Sequence, residues 1–172
     1  MNVDLYFFNL INGFSGRWAW LDCLAIFSAK YLAYILVITL IIVTYALGEM
    51  EMFLASFLAA FFSRFVVNES IYFLYKRERP SVAVGAKVLL KNPKYPSFPS
   101  GHTSFFFALS FSILPYNFGL GIIFIILSLC IAFFRIFSGL HWPSDILGGA
   151  GAGAVSSLLV YFYLIPWILF SL

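Results

Sequence analysis

Charge is what this chain has least of. Its 172 residues include ten Lys or Arg and seven Asp or Glu, 10% in all, against 63% apolar and 21% aromatic residues. Soluble domains average about 25% charged and roughly 45–50% apolar, so a water-facing globular surface is excluded and a lipid-embedded one is expected. A helix bundle that shares its apolar surface with lipid needs no large water-excluding core, and the length suits one domain, residues 1–172. Histidine and cysteine are rarer still, with two of each. Cys23 and Cys130 lie far apart in apolar sequence and fit no metal-ligand spacing, so both are expected as buried small hydrophobes. Two histidines and scattered carboxylates make no convincing ligand set, and neither a metal nor another cofactor is expected. The basic excess is small, and no nucleic-acid partner is expected. The chain opens with no basic n-region or small-residue cleavage site, so no cleavable signal peptide is expected.

Long apolar runs are what the chain has instead. Residues 2–14 read as a short amphipathic helix, with Val3, Phe7, Leu10, Ile11 and Phe14 on one face and Asn2, Asn9 and Asn12 roughly opposite. Such a helix can lie flat in the headgroup region. Trp18 and Trp20 mark an interface, and spans follow from about Leu21 to Leu47 and from about Met52 to Tyr75. Gly48-Glu49-Met50-Glu51 is long enough only for a tight reversal. The second span carries Arg64, Asn68 and Glu69, which cannot face lipid cheaply. They form either a structural network between helices or the lining of a headgroup cavity.

A third helix, from Gly101 to Tyr116, is about 24 Å long at 1.5 Å per residue, short of the roughly 30 Å hydrocarbon core. Two more spans run to about Ser138 and from about Pro143 to the C-terminus. The expected fold is all-α: a polytopic membrane bundle of about five transmembrane helices plus an N-terminal interfacial helix. Nothing in the sequence fixes an oligomeric state. The basic loop of residues 76–100 joins spans two and three, and residues 135–145 join spans four and five. Both loops therefore lie on one face of the membrane, where two distant motifs can build one site.

Chemistry concentrates in those loops. Pro99-Ser100-Gly101-His102 opens an apolar helix, so free N–H groups, the positive end of a helix dipole and a proton donor coincide, an arrangement suited to phosphate. The second histidine stands in Arg135-Ile136-Phe137-Ser138-Gly139-Leu140-His141-Trp142-Pro143-Ser144-Asp145. The plain alternative, two interfacial packing histidines, would leave both arginine motifs without a purpose. A lipid or ion transporter using Lys30, Arg64 and Glu69 is the alternative from another class.

Arg79-Pro80, then Pro99-Ser100-Gly101-His102, then Arg135-x5-His141-x3-Asp145 resembles the three-part signature of the type 2 phosphatidic acid phosphatase superfamily over nearly the whole helical core. The opening Phe8-Asn9-Leu10-Ile11-Asn12-Gly13-Phe14 looks most like the bacterial undecaprenyl-diphosphatase branch. The resemblance implies a metal-independent lipid phosphatase in which His141 attacks phosphorus to give a phosphohistidine. Asp145 holds the other ring nitrogen, and His102 protonates the leaving oxygen. Arg79, Ser100, Gly101 and Arg135 bind the phosphate. It also implies a lipid phosphate or diphosphate substrate, with undecaprenyl diphosphate first and phosphatidylglycerophosphate or phosphatidate as alternatives. The implied location is the plasma membrane, with an extracytoplasmic site.

Two positions depart from the pattern: Tyr72 stands where the superfamily usually has lysine, and Phe134 where it usually has serine just before the third-motif arginine. Lys76, one turn further if the helix continues, either replaces that lysine or anchors the helix end at the interface. Lys87, Lys91 and Lys94 are expected on a solvated or headgroup-facing surface.

Overall fold

The computed structural model describes residues 3–91 and 94–171. Helix α1 (Val3–Asn12) leads into α2 (Ala19–Leu47) and α3 (Met50–Leu74). The short α4 (Pro80–Ala83) precedes α5 (Gly101–Ile113), α6 (Phe118–Phe137) and α7 (Pro143–Ile168). Among the described residues, four helices are long and apolar enough to cross a membrane: α2, α3, α6 and α7.

The expected fifth span is different in kind. At 13 residues, α5 is roughly 20 Å long, and its surface is turned inward. Thr103, Ser104, Phe106 to Ser110, Ser112 and Ile113 are all buried, and α5 packs against α3, α6 and α7. A helix enclosed by its neighbours need not match the bilayer. It can also carry serines, because each hydroxyl finds a partner. Asn68 of α3 donates to Ser104 Oγ at 2.6 Å. Ser110 and Ser128 of α6 share a bond at 2.9 Å, and Ser112 donates to Ser157 of α7 at 3.0 Å. Asn68 is therefore a structural glue residue. Close approach to α7 depends on glycine: a Cβ on Gly153 would lie 2.7 Å from Ala108 N and from Ser104 O.

Two reversals meet at the end of the bundle away from the motifs. Gly48 turns the chain at φ +72° between α2 and α3, and Tyr116, after α5, donates to Glu51 at 2.9 Å. The α2–α3 and α5–α6 turns thus share one end, which leaves both motif-bearing loops at the other.

Helix α1 sits with its polarity turned round. Val3, Phe7, Leu10 and Phe14 are exposed, as an outward apolar face requires, but Asn12 is buried. Its amide donates to Lys87 O at 3.0 Å and Phe137 O at 2.8 Å, two loop and helix-end carbonyls that need donors in a water-poor setting. Phe8 is buried beside it and packs on Trp142 with ring centroids 5.0 Å apart. Asn2 lies outside the described residues. Cys23 corrects another expectation: it is exposed on α2, and Cys130 is half-buried. On the outer face of a spanning helix a small apolar side chain meets lipid at no cost.

Candidate active site

Helix α3 stops before the position that Lys76 needs. Tyr75 is extended at φ −132° and ψ 101°, so Lys76 leaves the helix axis and is exposed. It lines an outer hollow with Glu69, Arg77, Arg79 and Lys94. The other sequence-singled residues converge. Arg79, N-cap of α4, lies deep under the loops, where Tyr95 O (3.0 Å), Pro96 O (3.1 Å) and Leu140 O (2.8 Å) accept from its guanidinium. Its Nη1 also faces His141 Nε2 at 3.2 Å.

The environment of His141 fixes its tautomer. Nδ1 is 2.9 Å from Ser97 O and 3.4 Å from Asp145 Oδ2, both acceptors. Nε2 faces the arginine donor. The proton therefore belongs on Nδ1 and the lone pair on Nε2. The nearer orienting acceptor is the Ser97 carbonyl, with Asp145 second, a refinement of the expected pairing. Complete burial pushes the His141 pKa down to about 4; Asp145 opposes this, and Arg79 and Arg135 add to it. The ring is neutral at pH 7 and able to act as a nucleophile.

Asp145, fully buried in the first turn of α7, is held from every side. Ser97 Oγ, Trp142 N (2.8 Å) and Arg77 Nη1 (2.7 Å) all donate to it. Arg77 goes on to pair with Asp4 of α1 and to donate to Ser144 at 2.6 Å. Burial works to raise the Asp4 pKa, but hydrogen bonds from Ser144 and the Arg77 charge outweigh it and hold the carboxylate ionised. Arg77, Ser97 and Asp4 carry no motif signal of their own. Arg77 was at least visible as a cation two residues before Arg79.

A cavity of about 490 Å³ adjoins this cluster. Gly101, His102 and Arg135 form its polar end, together with Arg64 and, near the rim, Lys30 and Lys91. Ala29, Ala33, Val37, Phe105 and Phe106 form apolar walls running down α2 and α5. Ser100 is buried just behind, with its hydroxyl accepting from Thr103 at 3.0 Å. Arg135 is 6% exposed and donates through Nη2 to Ala29 O at 3.0 Å, while its Nε has no partner. Two of the long helices that border the cavity, α2 and α3, widen into a π turn there. Phe27–Tyr31 brings Lys30 and Ala29 to the wall, and Ser63–Val67 brings Arg64. Such bulges recur at functional sites because they re-aim side chains. No three His, Cys, Asp or Glu side chains group as metal ligands among the described residues.

Known proteins resemble this chain in sequence and in fold. The undecaprenyl-diphosphatase BcrC of Bacillus subtilis (strain 168) is 29% identical over 163 residues, covering 94% of this chain and 83% of that protein. A Bacillus licheniformis protein named bacitracin transport permease protein BcrC is 26% identical over 163 residues, 94% of this chain and 79% of its own length. The crystal structure of Aquifex aeolicus LpxE superposes with a TM-score of 0.75 at 25% identity, covering 95% of this chain and 97% of that one. The PAP2 superfamily profile matches residues 53–167, which hold both histidines, Arg64, Arg77, Arg79, Arg135 and Asp145. The chain belongs to the PAP2 superfamily and is a multi-pass membrane lipid phosphatase, a hydrolase of phosphate esters.

Proposed function

We propose that the protein removes the terminal phosphate of an isoprenoid lipid diphosphate, as undecaprenyl diphosphate to undecaprenyl phosphate, through a phosphohistidine. The observation that carries this reading is the two-ended cavity, in which arginines and the start of α5 face one end and apolar helix walls the other. An amphiphile with a strongly anionic head fits such a space. His141 Nε2 forms a bond to the terminal phosphorus while the bond to the bridging oxygen breaks. His102 gives its proton to the departing lipid phosphate. A water then attacks phosphorus and passes its proton to His102, and Nε2 leaves with its lone pair, restoring both rings. Asp145 and the Ser97 carbonyl hold Nδ1–H and stabilise the charge that develops on the imidazole. Arg79, Arg135, the Ser100 hydroxyl and the amides at Gly101 neutralise the equatorial oxygens. The site faces the extracytoplasmic side of the plasma membrane. Lys76 anchors the end of α3 at the interface.

The test is inorganic phosphate release by the detergent-purified protein from undecaprenyl diphosphate, phosphatidylglycerophosphate and phosphatidate, each with and without a chelator. The diphosphate should turn over fastest, with no loss to the chelator. Movement of labelled lipid across liposomes without phosphate release would instead make the protein a carrier. In intact cells, hydrolysis of a membrane-impermeant phosphate ester should proceed; activity only after lysis would put the site on the cytoplasmic side.

A further inference from the structure

We infer that Arg64 is the residue that selects diphosphate over monophosphate substrates, by holding the phosphate that leaves with the lipid. This rests on the phosphatase reading above. The side chain starts from the π turn of α3 and runs past Tyr72, with its guanidinium 5.7 Å from that ring centroid and 5.1 Å from the ring of Phe65. It ends against the first residue of α5: a Cβ on Gly101 would lie 2.8 Å from Arg64 Nε and 3.0 Å from Cδ. A guanidinium beside the positive end of a helix is electrostatically unfavourable unless anions lie there; a diphosphate supplies two, the attacked phosphoryl group on the Gly101 amides and the second phosphate on Arg64. Glu69, 46% exposed, accepts from Nη1 at 2.5 Å and neutralises one edge only. Arg135, 6% exposed, lines the same cavity and has a buried Nε without a partner.

Position decides which phosphate. Arg79 touches the nucleophile and is committed to three carbonyls and Nε2 of His141, so it serves the phosphoryl group under attack. Arg64 instead lines the cavity with His102, the leaving-group acid, and with the apolar walls that take the lipid. The group between the attacked phosphorus and the lipid is a second phosphate in a diphosphate and a neutral oxygen in a monoester. Only the first gives Arg64 a charge to bind.

Two measurements test this. The first is kcat/KM of wild type, Arg64→Gln and Arg64→Lys on a lipid diphosphate and the matching monophosphate. A charge-assisted contact predicts a loss of about ten- to a hundredfold for Arg64→Gln on the diphosphate and under about threefold on the monophosphate, with Arg64→Lys between. Equal losses on both substrates, or none on either, overturn the inference. The second needs no turnover, and so separates this inference from the phosphatase reading: thermal stabilisation of His141→Ala by inorganic pyrophosphate against phosphate. Pyrophosphate should stabilise more, and adding Arg64→Gln should abolish the difference. A difference that survives the second substitution overturns the assignment even if the wild type proves inactive, as does a melting curve of Arg64→Lys lacking a cooperative transition, which would make Arg64 structural.

Discussion

A ring nitrogen facing two acceptors must carry the proton, and at His141 that fact leaves the lone pair on Nε2, the atom the proposed mechanism uses. With only two histidines in the chain, nitrogen-15 NMR of histidine-labelled protein can read this directly. One ring should show protonated Nδ1 and bare Nε2 throughout pH 5–8 and disappear in His141→Ala. Its transition should fall near pH 4, because burial disfavours the imidazolium. The unfolded ring takes its proton near pH 6.5, so below that value the unfolded state binds more protons. Stability should therefore fall as pH drops from about 6.5 towards 4. A His141 transition near 6.5 in folded protein would mean that the ring is not enclosed. The site residues legible in the sequence were those with fixed short spacings, such as His141 four residues before Asp145. Ser97 was not, since it meets Asp145 only after 48 residues of chain fold back.

At the level of elements, hydropathy located the long helices within two or three residues, because lipid tolerates little else on their surfaces. It could not find where α3 ends. Nothing apolar or polar in Tyr75-Lys76-Arg77 distinguishes a further turn from the extended backbone that the structure adopts, so Lys76 does not stand one helical turn beyond Tyr72 but lines the outer hollow with Tyr72 and Arg79. Nor could it orient α1, whose docking is set by pairings across the chain, Asp4 with Arg77 and Asn12 with Phe137. These pairings give α1 a consequence for the site. Arg77 joins Asp4 to Asp145, so Asp4→Asn removes one anion from a guanidinium that also braces the carboxylate behind His141. The expected result is a fall in kcat of roughly tenfold with KM little changed, since no group touching the substrate is altered. The pH profile should shift as well, because Asp145 opposes the lowering of the His141 pKa. A change in KM alone would show that α1 instead shapes the substrate entrance.

For the whole molecule, the question is how a water-requiring reaction is held within reach of a lipid. Short α5 begins part-way into the bundle, so His102 opens on a cavity whose lower walls are segments of spanning helices, Ala33 and Val37 on α2 and Phe105 and Phe106 on α5. The loop-borne His141, 2% exposed, directly follows Leu140, which lines the same cavity. On the proposed function the polar end handles the headgroup while the walls accept the first part of the hydrocarbon chain, and each can be perturbed alone. Val37→Trp fills the apolar part of the cavity about two helical turns from Lys30 and alters no polar residue. It should raise KM for a long-chain lipid diphosphate at least tenfold, the worth of about two buried methylenes. Hydrolysis of a short water-soluble phosphate ester by the same variant should stay within about twofold of wild type. Equal loss on both substrates would mean that the substitution disturbs the bundle. Unchanged KM on both would mean that the lipid chain lies elsewhere, leaving this cavity to the headgroup alone.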